Sequence, residues 1–390
     1  MGTHAIAAQL RLTRSTSFTS SASLVHNIAC MNSGFTARAL VSLRQRLLAW
    51  FAKHRRALPW RAGRDPYRIW VAEIMLQQTR IAAVIPYYDR FLEKFPTVES
   101  LAAARIDDVL RLWSGLGYYS RARNLHRAAQ EIVEQHAGEF PRTLDEALAL
   151  PGIGHYTAAA VLSIAYDVPL AVLDGNVARV LARIGAIRGD LREPRRWRTL
   201  AESAQRLLAP HAGGDWNQAL MELGEVICTP RDPLCTDCPI AKFCRARALG
   251  FTDRIPAPRR KHAPVKIRIA AAILRDPEGR VLLVRDPGAH DGVLFSRMWQ
   301  FPAIEVAEHP ENELAAHLAL TLGVKALALE KLPAARHGVT YRNIALLPFL
   351  ARVTRLPKLR RTRILHLDRL SSVPVSSATR KIAAAIDRSM

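Results

Sequence analysis

Four of the five cysteines, Cys228, Cys235, Cys238 and Cys244, stand within 17 consecutive residues, separated by six, two and five positions. The 390-residue chain opens without the apolar core and small-residue cleavage site of a secretory signal, so this crowding reads as a metal or cluster site rather than a disulfide framework. One segment wrapping an iron-sulfur cubane needs thiolates at unequal short spacings such as these. Structural zinc usually draws on two paired knuckles, and a single Cys-x-x-Cys here makes zinc the second reading. Four unrelated core cysteines at this density would be a coincidence.

The length suits two domains. From Leu40 to Gly250 the apolar residues recur at three- and four-residue spacing, as in Leu43, Leu47, Trp50 and Phe51, and prolines at 86, 96, 141, 151, 169 and 210 punctuate them. That predicts short helices joined by tight turns, without an alternating run, over a domain of residues 39–250 that includes the cysteine loop 228–244. The proline-rich, basic stretch from Arg254 to Pro264 has little to bury and marks a linker, taken as 251–265. Beyond it Ile267–Leu274, Val281–Val284 and Ile344–Val353 read as strands around an amphipathic helix at Glu311–Leu322, an α+β domain over 266–390. Residues 1–38 carry no Asp or Glu, three Arg and a Ser/Thr run. They are either a transit-like extension or upstream sequence before a true start at Met31, and they stay outside the fold.

Lys plus Arg number 56 against 34 for Asp plus Glu, a formal charge of +22 with 49% of residues apolar. The apolar content excludes disorder for most of the chain, and no apolar run approaches the roughly eighteen residues of a membrane span. The surplus divides as +10 over residues 1–250 and +12 over 251–390, so neither part is a basic tail on a neutral body. A soluble protein this basic most often meets phosphates; an unfocused solubility charge is the competing reading.

Three stretches carry chemistry. In Leu150–Ala158, Gly152 and Gly154 permit a hairpin whose outward backbone N–H groups, with the helix starting near His155, make a phosphate cradle without side-chain charge. Asp174 follows an apolar run and precedes Gly175, which places it at a helix mouth where the dipole favours the ionised form; an ordinary N-cap is the simpler reading. Glu73 lies in the apolar run from Trp70 to Leu76, where burial favours the protonated acid and suits general acid catalysis.

Pro59–Arg61, Trp70–Glu73 with Gln77–Thr79, Gly115–Leu125, the 150–158 hairpin, Leu173–Val177 and the four cysteines together resemble the MutY family of adenine DNA glycosylases, in the helix-hairpin-helix glycosylase superfamily. The resemblance runs from about Leu40 to Gly250. It implies a mostly α helix-hairpin-helix core with one [4Fe-4S] cluster on Cys228, Cys235, Cys238 and Cys244. It also implies that Glu73 protonates adenine, that Asp174 stabilises a positively charged sugar, that Asn176 orients Asp174, and that Tyr156 lines the same pocket. Relatives that nick DNA through a Schiff base carry Lys at the position of Tyr156, so base removal without strand cleavage is expected. By the same resemblance Gln78 and Tyr118 form the wedge that fills the gap left by a flipped base, and Arg56, Arg61, Leu76 and Gln218 touch the adenine.

Val281–Arg285 and Met298–Pro302 resemble the family's Nudix-like lesion-recognition domain. Residues 311–317 lack the clustered acids of a hydrolytic Nudix helix, so pyrophosphate hydrolysis is not expected. Val339-Thr340-Tyr341 stands where the family often has Phe-Ser-His, which leaves the Thr340 hydroxyl to meet 8-oxoguanine. The run 352–363 holds six basic residues and no acid, a phosphate track or an exposed face. The resulting expectation is a monomeric base excision repair enzyme acting on duplex DNA with adenine opposite 8-oxoguanine or guanine. A replication or repair clamp is a further expected partner and no membrane is involved. The expected location is cytoplasmic, at the bacterial nucleoid, or mitochondrial or nuclear should the extension be a transit peptide.

Overall fold

The computed structural model describes residues 35–257, 263–285, 298–325, 328–339 and 341–387. In chain order the α-helices are α1 (Ala37–His54), α2 (Pro66–Leu76), α3 (Ile81–Lys94), α4 (Val98–Ala102), α5 (Ile106–Trp113), α6 (Tyr119–Gln135), α7 (Leu144–Ala149), α8 (His155–Tyr166), α9 (Gly175–Gly185), α10 (Pro194–Leu207), α11 (Gly213–Val226) and α12 (Arg245–Ala248). Strands β1 (Val265–Arg275), β2 (Arg280–Arg285), β3 (Trp299–Gln300) and β4 (Ala303–Glu305) follow, then α13 (Pro310–Leu322), β5 (Glu330–Lys331), β6 (Ala335–Val339), β7 (Arg342–Arg352), β8 (Thr362–His366) and α14 (Ser377–Asp387). Among the described residues no strand precedes Val265, as the helical periodicity predicts.

Local sequence explains the helix starts. Thr36 caps α1 by accepting from the Ala39 N–H, and Asp65 caps α2 by accepting from Tyr67 and Arg68, with Pro66 in the first turn. Thr97 and Ser100 close a capping box on α4.

The contacts divide the chain into two compact units, one of residues up to Arg55 with Pro169–Arg259, the other of Arg56–Val168 with Arg260–Met390. The helical segment is therefore shared between units rather than ending as one body at the linker. In the first unit α11 packs against α1 and α9, and α9 also against α10 and α12. In the second, α2 is buried nearly all round through Ile69, Trp70, Val71, Ala72, Ile74 and Met75, the mark of a central helix, and it packs on α3, α6 and α8. Phe91 on α3 and Trp113 on α5 stack edge to face at 5.9 Å in the same core.

The C-terminal residues of the second unit form a mixed sheet. β1 and β7 run parallel over their full length, β4 pairs with β1, β3 and β8 with β2, and β5 and β6 with β7. Strand alternation sends Ala271, Ile273, Val281 and Leu283 to one face, under Ala378, Ile382 and Ala385 of α14. Ala270, Ala272, Leu274 and Leu282 point to the other, under Leu314 and Leu318 of α13. A sheet between two helices matches the predicted α+β domain. The three predicted strands and the predicted helix are present; β3, β4, β5, β6, β8 and α14 were not foreseen, because strands of two to five residues carry too little periodicity to stand out.

Candidate active site

Glu73 sits in the middle of α2, 6% exposed. The Tyr156 hydroxyl, from the first turn of α8, donates to its Oε2 at 2.9 Å. One turn along, Gln77 Nε2 donates to Thr157 Oγ1 at 3.3 Å, so α2 and α8 are tied twice by polar side chains at the same face. The acid and the tyrosine singled out in the sequence are thus brought together.

The hairpin enters α8 as predicted, with the helix beginning at His155. Its two glycines differ. Gly152 has φ +78° and a Cβ there would lie 2.7 Å from Asn124 Cβ, so both conformation and space require glycine. Gly154 is an N-cap with φ −103° and open space around it, so neither conformation nor space requires glycine there.

Gln78 and Tyr118, the expected wedge, both hold left-handed backbone, at φ 56° and 48°. Such conformations cost free energy in residues with a Cβ and persist where neighbours enforce them. Arg121, within the Gly115–Leu125 stretch, is that neighbour. Its guanidinium donates to the carbonyls of Ile74, Met75 and Gln77 at 2.8, 2.9 and 2.5 Å, and to Thr79 Oγ1 and the carbonyls of Leu116 and Gly117 at 3.3 to 3.4 Å. It also lies 5.3 Å from the Tyr118 ring centre and 5.5 Å from that of Trp113. One side chain therefore joins the turn carrying Gln78 to the turn carrying Tyr118. Burial lowers its pKa to about 10, which leaves it charged at neutral pH. Tyr118 itself is 36% exposed and Gln78 is exposed. Nearby in sequence, Arg61 donates to the Arg56 carbonyl at 3.3 Å, and Leu76 is half-buried at the end of α2.

In the other unit Asp174 caps α9, its Oδ1 accepting from the Val177 N–H at 2.7 Å. Burial pushes its pKa above the ordinary carboxylate value; hydrogen bonds from the Val177 and Asn176 backbone N–H groups and the charge of Arg179 oppose the shift without cancelling it. The helix mouth alone thus does not set this acid's charge. The Asn176 side chain is engaged elsewhere, its Oδ1 accepting from Arg179 at 2.9 Å and its Nδ2 donating to Glu225 at 3.5 Å, so its hold on Asp174 is through the backbone. Gly224 allows this approach: a Cβ there would meet Asn176 Cβ at 2.8 Å. Gln218, on α11, is half-buried.

The cysteine loop follows α11. Cys228, Cys235, Cys238 and Cys244 are all half-buried free thiols. Burial, with smaller contributions from the other sulfurs, raises Cys238 to about 11 and shifts Cys244 the same way. Among the described residues no group of three or more His, Cys, Asp or Glu is arranged to hold a metal ion. The surroundings nonetheless favour anionic sulfur. Arg183, 1% exposed, donates to Cys228 Sγ at 3.3 Å and to the carbonyls of Thr229, Pro230 and Ile255 at 2.7 to 3.2 Å, and among the described residues no carboxylate pairs with it. Arg179 adds a hydrogen bond to the Cys228 carbonyl at 2.8 Å. A buried guanidinium facing sulfur suits a negatively charged thiolate body.

In the C-terminal domain Thr340 lies outside the described residues; beside it Val339 pairs with Arg342 and Tyr341 is exposed. Glu313 of α13 accepts from the backbone N–H groups of Ala307 and His309, so this acid closes the helix entry rather than joining a metal-binding cluster. The six basic residues of 352–363 are all exposed.

Two expected outcomes test this arrangement. Arg121→Lys keeps the charge and loses the planar fork, leaving carbonyls unsatisfied; urea unfolding should show a loss of about 2–4 kcal/mol. Asp174 has a native pKa above its unfolded value, so ionising it costs folding free energy at neutral pH and costs nothing below the unfolded value. Asp174→Asn should therefore raise stability at neutral pH by on the order of 1 kcal/mol, a gain that disappears as the pH falls through the carboxylate range. Urea midpoints measured across that range check it.

Comparison with known proteins bears on both units. Residues 71–206 match the HhH-GPD superfamily base excision DNA repair protein family. The adenine DNA glycosylase of Rattus norvegicus is 46% identical over 227 residues, which cover 56% of this chain and 44% of that protein. The adenine DNA glycosylase of Buchnera aphidicola subsp. Acyrthosiphon pisum is 40% identical over 225 residues, 57% of this chain and 64% of that protein. A thermostable thymine-DNA glycosylase of known structure aligns at 30% identity with a TM-score of 0.49, covering 54% of this chain and 97% of that one. The chain thus spans less than two thirds of the length of either adenine DNA glycosylase. Residues 71–206 are thus similar to the HhH-GPD superfamily of base excision DNA repair proteins.

Proposed function

We propose that the protein is an adenine DNA glycosylase of base excision repair, which hydrolyses the N-glycosidic bond of adenine opposite 8-oxoguanine or guanine and leaves an abasic site. The observation that carries this reading is the buried Glu73 with the Tyr156 hydroxyl on its Oε2 at 2.9 Å. A carboxyl group held in apolar surroundings, with one oxygen fixed by a phenol, is equipped to give a proton to a leaving base.

In this reading adenine is flipped from the duplex, with Gln78 and Tyr118 filling the gap, and Glu73 delivers its proton to the adenine ring as the bond from sugar to base breaks. Asp174, ionised, offsets the positive charge that develops on the sugar; water supplies the new oxygen and its proton leaves to a base, regenerating the acid over the cycle. Tyr156 has no amine with which to form a Schiff base, so the strand remains intact. The hairpin at Gly152 and Gly154 with the N-terminus of α8 holds a backbone phosphate. Reading of the opposite base is assigned to the C-terminal domain.

A [4Fe-4S] cluster on Cys228, Cys235, Cys238 and Cys244 fits the donor set and the buried Arg183 beside Cys228 Sγ. When bound, it supplies a negatively charged anchor that fixes the 228–244 loop. Anaerobically prepared protein should contain about four iron atoms per chain with visible absorbance. Zinc without iron or colour would sink the cluster.

The enzymatic reading is tested by single-turnover incubation with duplexes carrying adenine opposite 8-oxoguanine, guanine or thymine. Adenine release from the first two is expected, with strand breaks only after alkali. Glu73→Gln should slow release by about 10²–10⁴-fold while leaving DNA binding intact. Immediate nicking that borohydride traps on the protein would instead indicate a lyase.

A further inference from the structure

Helix α5 is held at both ends by the C-terminal domain of its own unit. At its first turn Asp107 accepts both terminal nitrogens of Arg285, on β2, at 2.6 and 2.9 Å; both side chains are about three-quarters buried. At its last turn Ser114, 4% exposed, donates its hydroxyl to the carbonyl of Val375 and accepts from Arg380 of α14 at 3.0 Å. The two grips are one assembly. Arg285 lies 5.5 Å from the Trp299 ring centre, and the Trp299 backbone N–H donates to the Pro374 carbonyl at 2.9 Å, next to Val375.

Beyond Ser114 the chain runs through Gly115 and Gly117, both at positive φ, to Tyr118, whose own left-handed backbone must be enforced from outside. Arg121 enforces it from one flank. On the other flank the support comes from the C-terminal domain, through the bonds of Ser114 to Val375 and Arg380, while the Tyr119 hydroxyl is buried with no hydrogen-bond partner among the described residues. Burial raises the Tyr119 pKa, which keeps that hydroxyl neutral.

We propose that the C-terminal domain sets the Tyr118 turn through α5, with Asp107, Ser114, Arg285 and Arg380 as positioning residues for the wedge. This rests on the wedge role given to Tyr118 in the proposed function. It makes the C-terminal domain part of the machinery that opens the adenine side of the duplex, in addition to any reading of the opposite base. The contacts are polar, bidentate and largely desolvated, so loss of one partner leaves the other unpaired, whereas exchanging Asp107 and Arg285 preserves the pair.

The test uses the full chain, with Ser114→Ala, Arg380→Gln, Arg285→Gln and the Asp107→Arg/Arg285→Asp exchange, each also built on Tyr118→Ala. Hydrogen exchange of the backbone amides of residues 115–119 should accelerate by about tenfold or more in the single variants and return to within about threefold of the parent in the exchange variant. Single-turnover adenine release should fall by about fivefold or more in the single variants, and that loss should vanish on the Tyr118→Ala background. Unchanged exchange at 115–119, or an equal loss of rate with and without Tyr118, overturns the proposal. A parent chain that releases no adenine overturns the glycosylase reading instead, and the amide exchange then still decides whether the C-terminal domain braces the turn.

Discussion

The carbonyls of Ile74, Met75 and Gln77, at the C-terminal end of α2, accept from the guanidinium of Arg121 in place of a backbone N–H. A helix end normally closes with a glycine turn or a further hydrogen-bonded residue. Here Gln77 leaves the helix at φ −54° and ψ 114° and Gln78 turns left-handed, a geometry that would strand those oxygens inside the protein. The guanidinium satisfies them and places a positive charge at the negative end of the helix dipole. Because α2 carries Glu73 and meets α8 through Tyr156, the same contact fixes the end of the helix on which the acid is mounted. The Tyr118 turn then depends on it from the other side.

Much of this was legible in the sequence, and the reasons differ by residue. The start of α8 at His155 follows from the glycine-proline hairpin, and the N-cap at Asp174 from an acid set between an apolar run and glycine. Glu73 stood out because an acid within Trp70–Leu76 has nowhere polar to go unless a partner meets it, and Tyr156 does. The roles of Arg121, Arg179 and Arg183 were not legible. An arginine on an amphipathic helix usually extends its charge to water, and only the folded chain reveals carbonyls converging on it. Even so, a signal was present: Arg179 and Arg183 are four apart on α9, within Val177–Ile184 where the flanking residues are apolar, so both fall on a face with little polar company. The C-terminal support of α5 was hidden for a different reason. Ser114 and Val375 lie 261 residues apart, and no local pattern encodes such a pairing.

Asp174 shows a conflict between stability and chemistry. Folding would be better served by a neutral side chain at this half-buried position, since burial raises its pKa against its own capping bonds. In the proposed reaction, stabilising a cationic sugar needs the charge. The chain resolves the conflict locally: backbone N–H groups from Val177 and Asn176 and the nearby Arg179 recover part of what desolvation takes. Gly224 lets α11 come close enough to carry the carbonyl that fixes Arg179. Capping bond, arginine and glycine form one support for a charge that folding alone would not select.

The buried guanidiniums also change what the overall charge means. A surplus of +22 invites a count of phosphate contacts, yet Arg183 faces sulfur and carbonyls, Arg179 joins α9 to the cysteine loop, and Arg121 closes α2. None of the three is placed to release counterions from a DNA backbone. By contrast the six basic residues of 352–363 are exposed, and in the proposed function the hairpin at Gly152 adds a phosphate site made of neutral backbone. Salt dependence of binding should therefore follow the exposed basic residues rather than the formal charge. The arginines that a composition count would credit to DNA are, in these three cases, what holds the end of α2, the Tyr118 turn and the cysteine loop in place.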